Sequence, residues 1–358
     1  MADTGSQLTF KRILSTVAEY KASDLHLTVS NPPILRVDTK LVPLEKESVV
    51  TPDFVEAALS TLLNDEQKNI LEKEKEIVFA YSLEDRARFR VTIFYQKGYP
   101  SISFHYIDEK IKTLKELGLP PVVERFTRVK KGLVIMSGPL GSGRTATLVS
   151  IINTINNARS EYILTIENPI EYLFVNNKSI IEQREVGRDT PSMADGLKTV
   201  MQEDVDVVMV SDLNSAEVIK EVMNIADSGR VVYASINADS VVKSIEKMVN
   251  LFSPDEQKQI KSSLADNLEG VVCQRLLPRV GGGRIVVAEV LVPTEPVRNV
   301  IKEGVYYQVN NIIQTSREEG MVSLDKLLAE LVKTGEILIE EAIANAQDPQ
   351  SLRLMARR

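Results

Sequence analysis

The sequence predicts an α/β protein in two parts: an N-terminal α+β region, then a larger α/β core that carries a phosphate-binding loop and ends in helices. Three observations predict it. Apolar, β-branched runs at 131–136, 162–166, 205–210, 230–236 and 284–291 are mostly separated by helical stretches. That is the rhythm of a largely parallel sheet covered on both faces. The run Gly138-Pro139-Leu140-Gly141-Ser142-Gly143-Arg144-Thr145 stands between an apolar run and a helical one at 146–157. Finally, the strand-like runs of the first third are grouped together, as in α+β proteins.

The elements follow in order. Residues 8–20 repeat as an amphipathic helix, and 24–29 alternate as a strand. Asn31-Pro32-Pro33 makes a turn before a strand at 34–37. Helices are expected at 52–63, where Thr51 or Pro52 is the start signal, and at 65–71. Strands at 77–81, 87–95 and 101–106 complete the first region. The segment 108–121, with Gly118 and the pair Pro120-Pro121, reads as a linker, so the expected divisions are 1–107, 108–121 and 122–358. From about 293 the pattern turns helical, at 296–302, 323–333 and 339–346, and the tail 353–358 is expected to fray.

Composition excludes several classes. At 358 residues, 43% hydrophobic and 26% charged, the chain has the make-up of a two-domain globular protein. A net charge of −7 argues against a nucleic-acid partner. No apolar run has the length of a membrane span. The start Met1-Ala2-Asp3-Thr4-Gly5 lacks the pattern of a leader peptide, so a cytoplasmic protein is expected. The single cysteine, Cys273, suits a reducing compartment and reads as a small buried hydrophobe. The two histidines, His26 and His105, are too few and too separated for a metal site and read as structural. The basic residues of 110–115 and 128–131 read as solvated faces or subunit contacts.

The chemistry lies in Gly138 to Thr145. The spacing is G-x-x-x-x-G followed by a basic residue and threonine. Glycines let successive N–H groups turn toward phosphate oxygens, and the helix start adds its positive end. Thr145 supplies a hydroxyl for Mg²⁺. The usual lysine is Arg144, a planar fork where the motif has a point charge. ATP and Mg²⁺ are the expected ligands.

Several segments, in order, resemble the secretion and pilus ATPase superfamily, and within it the PilT-like pilus-retraction group. They are Ala22-Ser23-Asp24-Leu25-His26-Leu27, Ala87-Arg88-Phe89-Arg90-Val91, and Thr165 to Tyr172, which resembles the family's acidic box. Glu182 to Thr190, Glu203 to Asp212, Cys273-Gln274-Arg275-Leu276, Gly281 to Arg284 and Pro296 to Ile301 complete the set. The resemblance spans nearly the whole chain. It implies a PAS-like N-terminal domain, a RecA-like P-loop ATPase core and a homo-hexameric ring, with ATP between domains and near a neighbouring subunit. It also implies work on a pilus platform protein at the inner face of the cell membrane.

Carried onto this chain, the resemblance makes Glu167 the residue that orients water, with Glu171 second. Asp212 stands at the Walker B carboxylate and joins Thr145 on the metal, while Arg88 and Arg90 reach the nucleotide from the N-terminal domain. If 87–95 is a strand, those two arginines share one face. The chain departs from the family at Arg144, at Asp212 with Ser211 before it, at Asn168, at Leu213-Asn214-Ser215, and at Arg230 and Asn237 where the family has histidines. Asn237 cannot take up a proton, whereas Arg230 could supply positive charge to the site. Asp212 is one methylene shorter than glutamate, and a misplacement of about 1 Å can cost ~10²-fold in rate. Two readings stay open: a ring ATPase with weakened hydrolysis, and a silent ring subunit that regulates or scaffolds an active paralogue. A filament-assembly ATPase fits less well, because the chain has no Cys-x-x-Cys module.

Overall fold

The computed structural model describes residues 4–38, 40–83 and 87–357. Met1 to Asp3, part of the start considered above, and Arg358 of the tail lie outside them. The chain forms two compact units. One comprises the described residues up to Lys110 together with Pro169–Leu173, and the other comprises Ile111–Asn168 and the described residues from Phe174 on.

The first unit is built on a fully antiparallel sheet of six strands: β1 (Asp24–Leu27), β2 (Ile34–Val37), β3 (Lys40–Pro43), β4 (Glu76–Leu83), β5 (Ala87–Gln96) and β6 (Tyr99–Ile107). Their order is β3-β2-β1-β6-β5-β4. Helices α1 (Thr4–Glu19), α2 (Pro52–Leu62) and α3 (Asp65–Glu74) accompany it. The expected start of α2 is confirmed, with the Thr51 hydroxyl capping the Phe54 amide and Pro52 in the first turn. A reciprocal Asn64–Gln67 capping box opens α3. Alternation along β5 buries Phe89, Val91 and Ile93. Phe89 meets Phe104 edge-on at 5.9 Å between ring centres, and Phe10 of α1 closes on Phe104 at 5.8 Å.

The second unit is a seven-stranded sheet. Its strands are β7 (Gly132–Ser137), β8 (Tyr162–Glu167), β9 (Ile180–Glu185), β10 (Val207–Val210), β11 (Val231–Ile236), β12 (Leu268–Pro278) and β13 (Arg284–Leu291). The order β13-β12-β7-β11-β10-β8-β9 is parallel throughout except for the β12–β13 pair. β7, β10 and β11 are buried along their whole length, which explains their unbroken apolar runs. A 3-10 helix (Pro121–Arg128) precedes β7. Helices α4 (Arg144–Ala158), α5 (Met193–Val200), α6 (Ala216–Asp227), α7 (Val241–Asn250) and α8 (Pro254–Asn267) link the strands. After β13 come α9 (Glu295–Glu303), α10 (Gln308–Thr315), α11 (Leu324–Lys333), α12 (Ile339–Asn345) and α13 (Pro349–Arg357).

The structure departs from the sequence pattern in several places. β9 is a polar edge strand, so it offers no apolar run. β12 is interrupted in sequence by Gly270, Gln274 and Arg275, which hide its strand character. Residues 353–357 of the expected fraying tail are helical, as the end of α13, whose Leu352 is fully buried in the cluster that includes Leu324, Leu328 and Ala342. Gly270 lies where β12 shifts register against β7, and a Cβ there would come within 2.2 Å of the buried Phe126 ring. Gly270→Ala is therefore expected to destabilise this unit by about 1–3 kcal/mol, read as a lower midpoint in chemical denaturation.

Candidate functional site

Four parallel strands bring their carboxyl ends to one edge of the second unit's sheet. Ser137 ends β7, Glu167 ends β8, Asp212 follows β10 by two residues, and Asn237 follows β11 directly. The chain runs from β7 out to β8 and later returns across to β12 on β7's other side. Open α/β sheets bind ligands in the crevice at such a switch point.

The loop from Gly138 leaves this edge and enters α4 at Arg144. Its three glycines all have positive φ: +149° at Gly138, +77° at Gly141 and +88° at Gly143. Gly138 has a second reason to lack a side chain, because a Cβ would sit 2.3 Å from the Gln274 carbonyl oxygen. Pro139 and Leu140 are exposed at the loop's tip, Ser142 is buried, and Arg144 and Thr145 are half-buried at the start of α4. The predicted loop, Gly138 to Thr145, thus has the strand–loop–helix form that the motif requires.

Glu167 is buried, with 1% of its surface exposed, and its Oε1 accepts hydrogen bonds from Thr165 Oγ1 at 2.6 Å and Gln183 Nε2 at 3.1 Å. Asp212 is half-buried. Burial pushes its carboxyl group up from the ordinary carboxylate value, against the opposing fields of Arg144 and Lys247. The residue before it is fixed at three points. The Ser211 amide donates to Ile166 O at 3.0 Å, Ser211 Oγ accepts the Asn168 amide at 3.1 Å, and Ser211 O accepts Ser235 Oγ at 2.6 Å. The backbone that carries Asp212 is consequently bound to both β8 and β11. Asn237 is exposed, and its carbonyl accepts a hydrogen bond from Lys247 Nζ at 2.9 Å. With Pro139, Asp239 and Lys243 it lines an open hollow of about 550 Å³.

Arg230 is a correction. It precedes β11 at the amino end of the sheet, and its carbonyl accepts the Gly132 amide at the start of β7. The six residues of β11 separate it from the phosphate loop, a distance of about 20 Å at the usual strand rise. Its guanidinium donates to Val205 O, Glu203 O and Ser228 Oγ. Arg230 therefore holds loop carbonyls and brings no charge to the carboxyl edge.

Arg88 and Arg90 belong to the first unit and, as expected for a strand, share one face of β5. Arg88 donates to Glu171 O at 2.6 Å and Ile170 O at 2.7 Å, while Arg90 pairs with the Glu171 carboxylate at 2.8 Å. Glu171, the second choice for orienting water, is the partner of Arg90 within that unit. His26 and His105 are also tied locally, to Ser103 at 3.1 Å and Asp24 at 2.9 Å. Burial holds His26 below its ordinary value. Cys273 is buried, as expected, and desolvation drives its thiol up to about 12. Among the described residues no group of His, Cys, Asp and Glu has the form of a metal site, and no helix is long and apolar enough to cross a membrane.

One residue outside the predicted set touches the loop directly. Gln274 of β12 is buried, donates from Nε2 to Ser142 O at 2.8 Å and accepts from Thr147 Oγ1 at 2.9 Å. Its signal in the sequence was a glutamine within the otherwise apolar stretch 271–277 that also holds Arg275.

A glycine loop between a buried strand and a helix, with two carboxylates on neighbouring strand ends, defines a P-loop nucleotide-binding core. The family model described as "Type II/IV secretion system protein" matches residues 6–344, and the chain belongs to that family. It is 35% identical to the type IV pilus retraction ATPase PilT of Pseudomonas aeruginosa, over 95% of this chain and 98% of PilT. It is 32% identical to the type IV pilus ATPase PilU of the same organism, over 98% of this chain and 92% of PilU. A solved structure of the pilus retraction motor PilT with bound ADP superposes with a TM-score of 0.83 at 33% identity, covering 96% of this chain and 98% of that one. The ATPase DotB of Legionella pneumophila shares the fold, with a TM-score of 0.81 at 22% identity over 95% of this chain and 96% of DotB.

Two predictions follow from this geometry. Arg230→Ala removes donors from two backbone carbonyls and should cost about 1 kcal/mol of stability, while nucleotide affinity measured by calorimetry stays within about twofold. Asp212→Asn should raise the melting temperature at neutral pH. The folded carboxyl group binds its proton more tightly than the unfolded one, so ionisation costs stability as pH rises through the folded value. Below the unfolded value both states are protonated, and the gain should vanish. Melting curves of both proteins across acid to neutral pH check the sign.

Proposed function

We propose that this chain is an ATP-binding ring subunit of the pilus-retraction type, with slow hydrolysis. The observation that carries the reading is the set of strand ends: the Gly138–Thr145 loop, Glu167 and Asp212 share one edge of a sheet whose solved relative at 33% identity holds ADP. The reaction is ATP + H₂O → ADP + phosphate. Water attacks the γ-phosphorus, and the bond to the β–γ bridging oxygen breaks.

In this reading the loop amides and the Arg144 guanidinium neutralise phosphate charge. Mg²⁺, when bound, spreads that charge further, and the Thr145 hydroxyl and Asp212 carboxylate are the oxygen donors suited to hold it. Glu167 orients the water, with Thr165 and Gln183 restricting its rotamer. The resemblance assigns Arg88 and Arg90 to the nucleotide as well, and both would have to keep or exchange the partners they now have at 170–171. A homo-hexamer, a pilus platform protein at the inner face of the cell membrane and a cytoplasmic location belong to the same proposal.

Phosphoryl transfer depends mainly on positioning and electrostatics. Loss of one well-placed group typically costs about 10²–10³ in turnover. The three-point attachment of Ser211 supports slow turnover, because the backbone has little freedom to carry the shorter Asp212 forward.

Calorimetry with MgATP tests binding: the expected result is saturable heat, lost in Gly143→Ala. Phosphate release by wild type, Arg144→Lys, Asp212→Glu and the double variant tests the rest. The double variant should gain more than either single change, since lysine acts on the phosphates and glutamate restores the longer reach at position 212. A wild-type rate equal to an active relative's, with Arg144→Lys neutral, overturns slow hydrolysis. A double variant that binds ATP but stays silent supports a regulatory or scaffolding subunit instead.

A further inference from the structure

The geometry points to Gln274 as the positioning residue of the phosphate loop, setting the direction of the Gly143 amide and anchoring the first turn of α4. The inference rests on the nucleotide reading and extends it to a residue outside the loop. Cys273 pairs with Ser137 across β12 and β7, so Gln274 lies level with the first loop residue. It meets the loop at both ends. Its main-chain oxygen lies against Gly138, leaving no space for a Cβ, and its side-chain nitrogen lies 3.1 Å from where a Cβ of Gly143 would be.

The side chain is 1% exposed. A primary amide in that position is costly unless both ends are bonded. Here they are. Nε2 donates to Ser142 O at 2.8 Å, and Oε1 accepts from Thr147 Oγ1 at 2.9 Å. Ser142 O can only accept, which fixes which end of the amide faces it.

The consequence follows from peptide planarity. In a trans peptide the carbonyl and the next N–H point in opposite directions. Drawing Ser142 O toward β12 turns the Gly143 N–H away from β12. A P-loop binds phosphate through such inward-turned amides. The second bond acts one turn further on. Thr147 is the fourth residue of α4, so its hydroxyl holds the turn whose unsatisfied N–H groups form the helix's anion-binding end. Glutamine suits both tasks because it carries a donor and an acceptor on one arm.

The test compares MgADP affinity and ligand-free melting temperature in wild type, Gln274→Met, Thr147→Val and the double variant. Methionine keeps the length and fills the volume but makes neither bond. Positioning predicts about tenfold weaker MgADP binding in Gln274→Met, a smaller loss in Thr147→Val, and a double variant no worse than Gln274→Met, since both act through one amide. A role in packing alone predicts unchanged affinity in Gln274→Met, and that result overturns the inference. If Gln274→Met does not fold, Thr147→Val decides: weaker MgADP binding by the folded variant supports positioning, and wild-type affinity overturns it. Wild type that does not bind MgADP overturns the nucleotide reading and this inference with it, whereas wild-type binding with unaffected variants overturns this inference alone.

Discussion

The second unit depends on how closely its glycine loop crosses the neighbouring strand. β7 is buried from end to end, and the chain leaves it at Gly138 directly over the backbone of β12. With a gap of 2.3 Å between a hypothetical Cβ and the Gln274 oxygen, only glycine lets the chain turn there. The loop then closes on the carboxyl edge of the sheet, and α4 begins where its positive end faces that edge. Had the chain left β7 at a wider angle, the amides of the loop and the first turn would not converge on one point. Convergence is what makes a run of ordinary N–H groups an anion site.

The same edge gathers two carboxyl groups, and for Asp212 this has an energetic cost. Glu167 is nearly inaccessible, and Asp212 is lifted above its ordinary value by burial although Arg144 and Lys247 oppose the shift. The position of Asp212 does not improve stability for its own sake. The backbone around Asp212 is nonetheless fastened three times through Ser211, to Ile166, Asn168 and Ser235. A carboxylate carried on a rigid backbone suits the metal-holding role proposed for Asp212. In the proposed reading, that rigidity leaves a carboxylate one methylene shorter than glutamate little backbone freedom to recover its reach.

Much of this was legible in the sequence. The buried strands β7, β8, β10 and β11 were readable because burial on both faces produces uninterrupted β-branched runs. The loop was readable because positive φ at Gly138, Gly141 and Gly143 leaves little choice of residue. β12 and Gln274 were harder, since a polar residue in a buried strand breaks the pattern that identifies the strand, and its partners Ser142 and Thr147 lie more than a hundred residues away. β9 left no mark in the apolar pattern, since an edge strand needs no apolar run, and it was signalled only by the resemblance at Glu182 to Thr190. Arg230, which could have supplied charge to the site, stands at the start of the run 230–236, and in a parallel sheet that start lies at the amino edge, away from the loop.

Arg230 also bears on how Arg144 should be judged. Several arginines in this chain are carbonyl clamps. Arg230 holds Val205 and Glu203, Arg159 holds Thr127 and Val129, Arg275 holds Asp239 and Asn345, and Arg298 holds Ala265 and Asp266. In the first unit Arg88 does the same for Ile170 and Glu171. A guanidinium fork suits the task, since loops packed against a sheet leave carbonyls that need donors. Positive charge alone therefore says little about contact with phosphate. Arg144 differs in location: it opens α4 on the carboxyl edge, and its field reaches the Asp212 carboxylate. Location, rather than charge, is therefore what supports Arg144 as a contact of the proposed nucleotide.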